Sequence, residues 1–397
     1  MMQPDRNKLV LVFLANTRWN TGWSSRRRLA EGLADEGWPI YFSSGPLRTW
    51  QRGSKEWTEA AWRTCAESQG RVTVERPGKW HSVWPRFRGL RRVMERRAGA
   101  ALRENVTKLF PGKEIGLVCY HPMYSNIAES LRPARTIYVV YDDLEKTHHW
   151  SPDLERAEDK LLEMTDLVVG YSEQMVERIM RKTSAPCQVM PLGVDFRLFE
   201  TKSRGPCPED LARIPRPRMG WVGNINDKID FDLIHRLVEA ISDINFVFIG
   251  RDLLEHQPPG PAHLVRSYEA WQRLKECHRV HVLGAKDHDC IPRYMANIDI
   301  NAMPYDLSSG LWVESCYPLK MHEYLSVGNP VLAADVPAVR QFKDVIDICV
   351  NFNEWMTGVQ RALREDSEDK RASRQAVAAQ NDWAVRIKEF SRWIESI

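Results

Sequence analysis

The 397-residue chain reads as an α/β protein of two doubly wound parallel-sheet domains, and three observations predict this. Strand-length apolar segments alternate with helical periodicity along nearly the whole sequence, the pattern of parallel sheets covered on both faces. The length is too great for one ordinary core and suits two domains of nearly equal size. Between the halves, Ser203-Arg204-Gly205-Pro206-Cys207-Pro208 and Ile214-Pro215-Arg216-Pro217-Arg218 gather the proline, glycine and charge of an interdomain linker.

In the first half the expected strands are 8–14, 40–43, 72–75, 115–120, 136–141, 167–171 and 188–191. The run Leu9-Val10-Leu11-Val12-Phe13-Leu14 is too short to cross a bilayer and is apolar throughout, as a strand buried on both faces must be. Helices are expected at 24–36, 88–109, 152–164 and 173–181. The second half restarts with strands 219–222, 245–249, 280–283, 298–303 and 331–333 and helices 231–241 and 291–296, with a long polar insertion before 280. A last helix opens at Pro318 and stops at Gly328, where glycine tolerates the left-handed conformation that ends helices. The expected domains are 1–200 and 201–380, followed by a terminal helix in 381–397 with Trp, Ile and Phe at helical spacing. Ligands of such sheets bind at the carboxyl ends of the strands, so the expected site is a central cleft bordered by the two facing sheets.

Composition narrows the function. Hydrophobic residues make up 43% and charged residues 27%, which are globular values. No apolar run approaches the ~20 residues of a membrane span, and no cleavable leader is evident, so a cytoplasmic protein is expected. The eight cysteines at 65, 119, 187, 207, 277, 290, 316 and 349 form no C-x-x-C pair, which argues against a metal or disulfide framework. Cys119 and Cys349 lie in apolar strands and read as small core residues. A net charge of +3 is too slight to imply a nucleic-acid partner.

The most informative stretch runs from Pro318 to Val331. A helix opening at Pro318 turns unpaired backbone N–H groups and the positive end of its dipole outward, which favours a bound diphosphate. Lys320 adds a point charge, and Glu323, one turn on, can accept hydrogen bonds from the vicinal hydroxyls of a ribose. This stretch resembles the donor-site segment of GT-B glycosyltransferases, close to family four and to bacterial polysaccharide and teichuronic acid biosynthesis transferases. Met190-Pro191-Leu192-Gly193-Val194-Asp195 and Met219-Gly220-Trp221-Val222-Gly223-Asn224 resemble the end of the first domain and the opening of the second in that group. The likeness spans about 136–350.

The resemblance implies a nucleotide diphosphate sugar as donor substrate, with no cofactor, and a glycan or lipid-linked glycan as acceptor. It gives Lys320 the pyrophosphate and Glu323 the ribose, with Leu319 beside them at the helix opening. Retention of anomeric configuration is likewise implied only by similarity to family four. That family often carries an earlier glutamate eight residues before the second; here that position is Ser315, with Glu314 displaced by one. Gly223 and Asn224 form a turn through which backbone approaches a phosphate, and Lys228 is placed to stabilise the departing diphosphate, although Asn224 and Asp227 equally suit a plain turn and helix cap. Ser309 and Gly310, after the strand ending near Tyr305, offer hydroxyl and N–H groups to the sugar or phosphates; the alternative is a solvated loop. With Lys320, the helix opening and Lys228 supplying positive charge, no divalent metal is required on this reading.

On the acceptor side, Asp142 and Asp143 follow one strand and His121 follows another. A carboxylate or imidazole at a strand's end can take or orient a hydroxyl proton, or merely cap the next segment. Asn16-Thr17-Arg18-Trp19-Asn20-Thr21-Gly22 is not a G-x-G-x-x-G loop, which argues against a nicotinamide dehydrogenase. Trp80 to Arg92 mixes tryptophan with arginine and suits either a solvated helix face or peripheral contact with an anionic membrane surface. Two other readings share these features: another GT-B enzyme, such as a nucleotide-sugar epimerase or phosphorylase, and a non-catalytic nucleotide-sugar-binding assembly protein. Acceptor-dependent release of nucleotide diphosphate separates a transferase from both.

Overall fold

In the computed structural model, described here for residues 6, 8–20, 24–83, 88–146, 150–256, 262–308 and 315–397, the chain folds as two units. Met1–Pro191 and Trp383–Ile397 form the first; Leu192–Asp382 forms the second. Each is built on its own twisted sheet, and both sheets are of the Rossmann-like kind that the alternating pattern predicts.

The first sheet contains β1 (Leu9–Leu14), β2 (Ile40–Ser43), β3 (Cys65–Gln69), β4 (Val72–Arg76), β5 (Glu114–Cys119), β6 (Arg135–Val140), β7 (Leu167–Gly170) and β8 (Cys187–Val189). Its order is β3-β4-β2-β1-β5-β6-β7-β8, parallel except where β3 pairs antiparallel with β4. The central strands are buried along their whole length, as their unbroken apolar runs require. β3 was not expected. Its sequence, Cys65-Ala66-Glu67-Ser68-Gln69, lacks an apolar face because it is a half-exposed edge strand.

The second sheet contains β9 (Arg218–Val222), β10 (Asn245–Ile249), β11 (Val280–Val282), β12 (Ile300–Met303), β13 (Val331–Ala334) and β14 (Asp347–Cys349), in the order β11-β10-β9-β12-β13-β14 and parallel throughout. The strand order reverses beside β9, which leads out towards β10 and β11 on one side and to β12 on the other. That reversal is where open α/β sheets bind ligands. The polar insertion before 280 contains a helix, Ala262–Lys275, whose Trp271 is fully buried against Phe231 and Phe248. Cys119 and Cys349 are buried strand residues.

In sequence the units divide at Pro191–Leu192 and at Asp382–Trp383. The Pro-rich stretch 203–218 belongs to the second unit, because helix Phe196–Ser203 packs against helices Ile291–Ala296 and Leu319–Val327. The final helix, Trp383–Ser396, packs on the first unit: Ile387 fills the space over Gly32, Trp38 Nε1 donates to Ser391 Oγ at 2.8 Å, and Arg6 meets Glu395 at 2.6 Å. A side chain at Gly32 would place its Cβ 2.0 Å from Ile387 Cδ1, so the absence of one there sets how closely this helix sits. Among the described residues no helix is long and apolar enough to cross a membrane.

Candidate active site

In the second unit, the ends of β9 and β12 place two aromatic side chains around one cation. Trp221 Nε1 donates to the carbonyls of Gly223 and Asn224, each at 3.2 Å, which locks the indole beneath the turn. Tyr305, at the end of β12, meets the indole edge-on at 5.4 Å. Lys320 Nζ then lies 3.0 Å from the Trp221 ring centroid and 5.7 Å from that of Tyr305. An ammonium over an indole face is held by the ring quadrupole.

Gly223 makes this possible. Its φ is +140°, and a Cβ there would stand 2.9 Å from Lys320 Nζ, so a side chain would both strain the backbone and displace the cation. Gly250, at the end of the neighbouring β10, lets the Gly223 carbonyl approach to where its own Cβ would be. The turn is thus an opening between two strand ends, with a lysine recessed beneath it.

Lys320 is carried by helix Leu319–Val327, which Tyr324 fastens to β9 by accepting the Val222 N–H at 2.8 Å. The helix has Pro318 at its N-cap, no capping side chain and no acidic residue in its first turn, so the positive end of its dipole is uncompensated locally. Leu319 points outward, 38% exposed, leaving its backbone as the part available to a ligand. Lys320 is half-buried with its ammonium at the inner end. Burial pulls its pKa down to about 7; the charge of Glu323 opposes that fall, and Lys228 adds to it. The lysine is therefore poised to change charge near neutrality.

Glu323 Oε1 is 3.9 Å from His288 Nε2, a residue of the short turn His288–Cys290 beyond β11. The Glu323 contact raises the His288 pKa, burial opposes this, and Asp195 and Asp289 add to the rise. Phe199 meets the imidazole edge-on at 5.9 Å. Sequence reasoning passed over His288 because Asp287-His288-Asp289-Cys290 looks like an ordinary polar loop. Trp221 was visible as the residue two before a turn glycine, but its place under Lys320 depends on a contact a hundred positions away.

Lys228 is on the same turn as Gly223 and close enough to Lys320 to lower its proton affinity. Its N–H donates to Asn226 Oδ1 at 3.1 Å, and its carbonyl accepts from the Asp306 N–H at 3.0 Å. Asn224 is exposed at the rim. Lys228, Gly223, Asn224, Leu319, Lys320 and Glu323 are thereby gathered at one end of the second sheet. Ser309, Gly310 and Glu314 lie outside the described residues; Ser315 is buried.

The first unit handles its expected residues differently. Asp142 is exposed, and its Oδ1 accepts the Asp143 N–H at 3.0 Å. Asp143 is only 4% exposed, with Arg178 and Lys146 each 3.5 Å from its carboxylate. Arg178 also forms two short bonds, 2.7 and 2.8 Å, with the buried Glu158, which accepts from Tyr138 OH at 2.9 Å. Such a network fixes Asp143 as a charge partner, not as a carboxylate presented to a ligand.

His121 is buried at the end of β5, and its Nδ1 accepts the Met123 N–H at 3.1 Å. Burial, together with Arg48 and Arg26, holds its pKa down to about 4. It is a neutral imidazole at physiological pH, protonated at Nε2 because Nδ1 is an acceptor. Tyr141, beyond β6, lies 6.5 Å from it and carries the Arg26 guanidinium 4.1 Å over its ring. In the basic-aromatic segment, Trp80 is 68% exposed, Arg88 and Arg91 reach Asp153, and residues 84–87 lie outside the described residues. No group of three or more His, Cys, Asp and Glu suited to a metal ion occurs among the described residues.

Comparison with known proteins supplies the context. Residues 216–364 match the family described as Glycosyl transferases group 1. A Bacillus subtilis (strain 168) protein, named for teichuronic acid biosynthesis glycosyltransferase function, is 22% identical over 248 residues; the match covers 60% of this chain and 59% of that protein. Among solved structures, the sucrose-phosphate synthase of Thermosynechococcus elongatus superposes with a TM-score of 0.69 at 15% identity, covering 98% of each chain. A UDP-forming α,α-trehalose-phosphate synthase from Burkholderia xenovorans, in complex with glucose-6-phosphate, gives 0.68 at 12% identity over 97% of this chain and 99% of the other. Anabaena HepE in complex with UDP and glucose gives 0.65 at 14% identity over 98% of this chain and all of the other. Residues 216–364 thus resemble the Glycosyl transferases group 1 family, within a chain whose fold is the GT-B fold of those solved structures.

Proposed function

We propose that the protein is a glycosyltransferase that moves a sugar from a UDP-sugar to an acceptor hydroxyl, in polysaccharide or glycoconjugate synthesis. The carrying observation is Lys320, recessed under the Gly223 turn beside Glu323 on a helix whose N-terminus is uncapped. A diphosphate at that opening meets backbone N–H groups, the helix dipole and two lysines, while Glu323 accepts from the ribose hydroxyls. The UDP-bound Anabaena structure and the group 1 match support the choice of donor.

In this reading the second unit holds the donor and the first holds the acceptor. As the bond to the anomeric carbon lengthens, negative charge grows on the diphosphate, and Lys320, Lys228 and the helix terminus stabilise it more than they stabilise the intact donor. This is the task a divalent metal performs in other transferases, so turnover is expected to persist in a chelator. On the acceptor side, exposed Asp142 accepts a hydrogen bond from the attacking hydroxyl, and His121 donates through Nε2 to a neighbouring oxygen. Asp143 has no direct part. The product keeps the anomeric configuration of the donor, which NMR of a fresh product reports. Trp80 and the arginines after it rest on an anionic membrane from the cytoplasmic side; sedimentation with anionic vesicles tests that contact.

The decisive experiment for the function itself is calorimetry with UDP, followed by an assay for acceptor-dependent UDP release. Saturable UDP binding that Glu323→Ala weakens is expected. Unchanged affinity in that variant rules out the assignment of the ribose to Glu323.

A further inference from the structure

One cavity of the first unit is lined by none of Asp142, Asp143 and His121. It occupies about 480 Å³ and is bordered by the segments that follow β1, β2 and β4, which are the carboxyl ends of parallel strands. At its wall is Glu75, whose carboxylate accepts from the hydroxyls of Ser43 and Tyr41, the latter at 3.3 Å. Ser43 is fully buried and its own oxygen accepts the Gly45 N–H at 3.1 Å, so this carboxylate is held from behind in a fixed position. Burial raises the Glu75 pKa, with both hydroxyls opposing that rise.

The other charges of the cavity cancel pairwise. Arg18 faces Glu56 at 3.8 Å, Lys55 faces Glu59 at 3.8 Å, and Arg76 meets Glu67 at 2.6 Å. Among the described residues no cation is left in excess, which is a poor arrangement for a phosphate. The groove along helix Arg88–Leu109 is the opposite case, with five cations against two carboxylates. What the cavity does offer is a dense mixture of donors and acceptors, including the exposed amide of Asn20. Polyhydroxyl groups require that mixture, since each hydroxyl both donates and accepts.

We propose that this cavity is the subsite for an uncharged sugar ring of the acceptor, with Glu75 orienting one of its hydroxyls. The inference rests on the reading that the first unit takes the acceptor. It separates this chain from the Burkholderia xenovorans neighbour, whose structure holds a sugar phosphate.

The test uses the full chain and saturation-transfer NMR with methyl glycosides of neutral hexoses and N-acetylhexosamines, with hexose 6-phosphates as the competing probe and UDP calorimetry in parallel. Expected are saturable binding of at least one neutral glycoside, no tighter binding of its 6-phosphate, weakening of about tenfold or more in Glu75→Ala and about threefold in Asn20→Ala, and an unchanged UDP affinity in both. Asn20 is exposed, so its variant keeps the test open if Glu75→Ala does not fold. A 6-phosphate that binds tenfold tighter than its parent overturns the proposal. So does glycoside binding indifferent to both variants, or the absence of any glycoside binding in protein that binds UDP. If UDP also fails to bind, the underlying transferase reading falls as well.

Discussion

The two units use the ends of their strands in contrasting ways. In the second, the groups that matter surround a glycine turn: Lys320 is held by a ring face and the open backbone of Gly223, with no carboxylate within ion-pair distance among the described residues. In the first, the equivalent groups are already engaged: Asp143 with Arg178 and Lys146, His121 with a backbone N–H, Tyr141 under Arg26. The difference teaches where ligand-dependent charge change can occur. A cation held only by a π face gains most when an anion arrives, whereas groups bound to one another have little left to gain.

That contrast can be broken most forcefully at the turn. Gly223→Val adds a side chain at φ +140° and places its Cβ 2.9 Å from Lys320 Nζ, so it should reduce UDP affinity by about 100-fold or more while leaving the first unit folded. Calorimetry together with circular dichroism measures both. Lys320→Ala removes the recessed charge and should cost about 2–3 kcal/mol of diphosphate binding, roughly 30- to 150-fold, with little loss of stability because the lysine is desolvated and has no ion-pair partner among the described residues. The corresponding change in the first unit should behave in the opposite manner. Asp143→Ala leaves Arg178 and Lys146 short of a partner and should lower stability by about 3 kcal/mol in denaturant unfolding, with UDP affinity unchanged. The smallest effect is expected at His288→Gln, which removes the positive partner of Glu323 and should weaken UDP binding about threefold, measurably at pH 6 and less at pH 8, because the charged imidazole is lost as pH rises.

The contrast also explains how much the sequence reveals. The helix beginning after Pro318 and ending at Gly328 is readable because its features are local: a proline at the opening, a cation and a carboxylate one turn apart, a glycine at the close. The strand at Asn245–Ile249 follows from its short apolar run and the helix at Arg88–Leu109 from its periodicity. The edge strand Cys65–Gln69 carries no such pattern, since one side pairs with β4 and the rest meets water. Helix Ala262–Lys275 hides its three buried residues, Ala270, Trp271 and Leu274, in a largely polar segment. The candidate site divides in the same way. Lys320 and Glu323 are a motif, but their contacts, Trp221 in β9 and His288 in the turn beyond β11, are brought in only by the fold. Asp143 is ambiguous from sequence for the converse reason: a carboxylate at a strand end is common to binding sites and to buried ion networks, and its burial beside Arg178 is legible only in the fold.

The central claim is that Lys320 meets the diphosphate as a cation that must first gain its proton, and the pH dependence of UDP affinity tests it most directly. Free Lys320 titrates at about 7, and a bound diphosphate favours the charged form, so binding takes up a proton above that pH. The dissociation constant should then rise from pH 7 to pH 9, approaching tenfold per unit, over a range where phosphate ionisation near 6 is already complete. Lys320→Arg, whose side chain stays charged throughout, should flatten that rise. A wild-type dissociation constant that is constant from pH 7 to pH 9, or that changes equally in Lys320→Arg, would contradict the account.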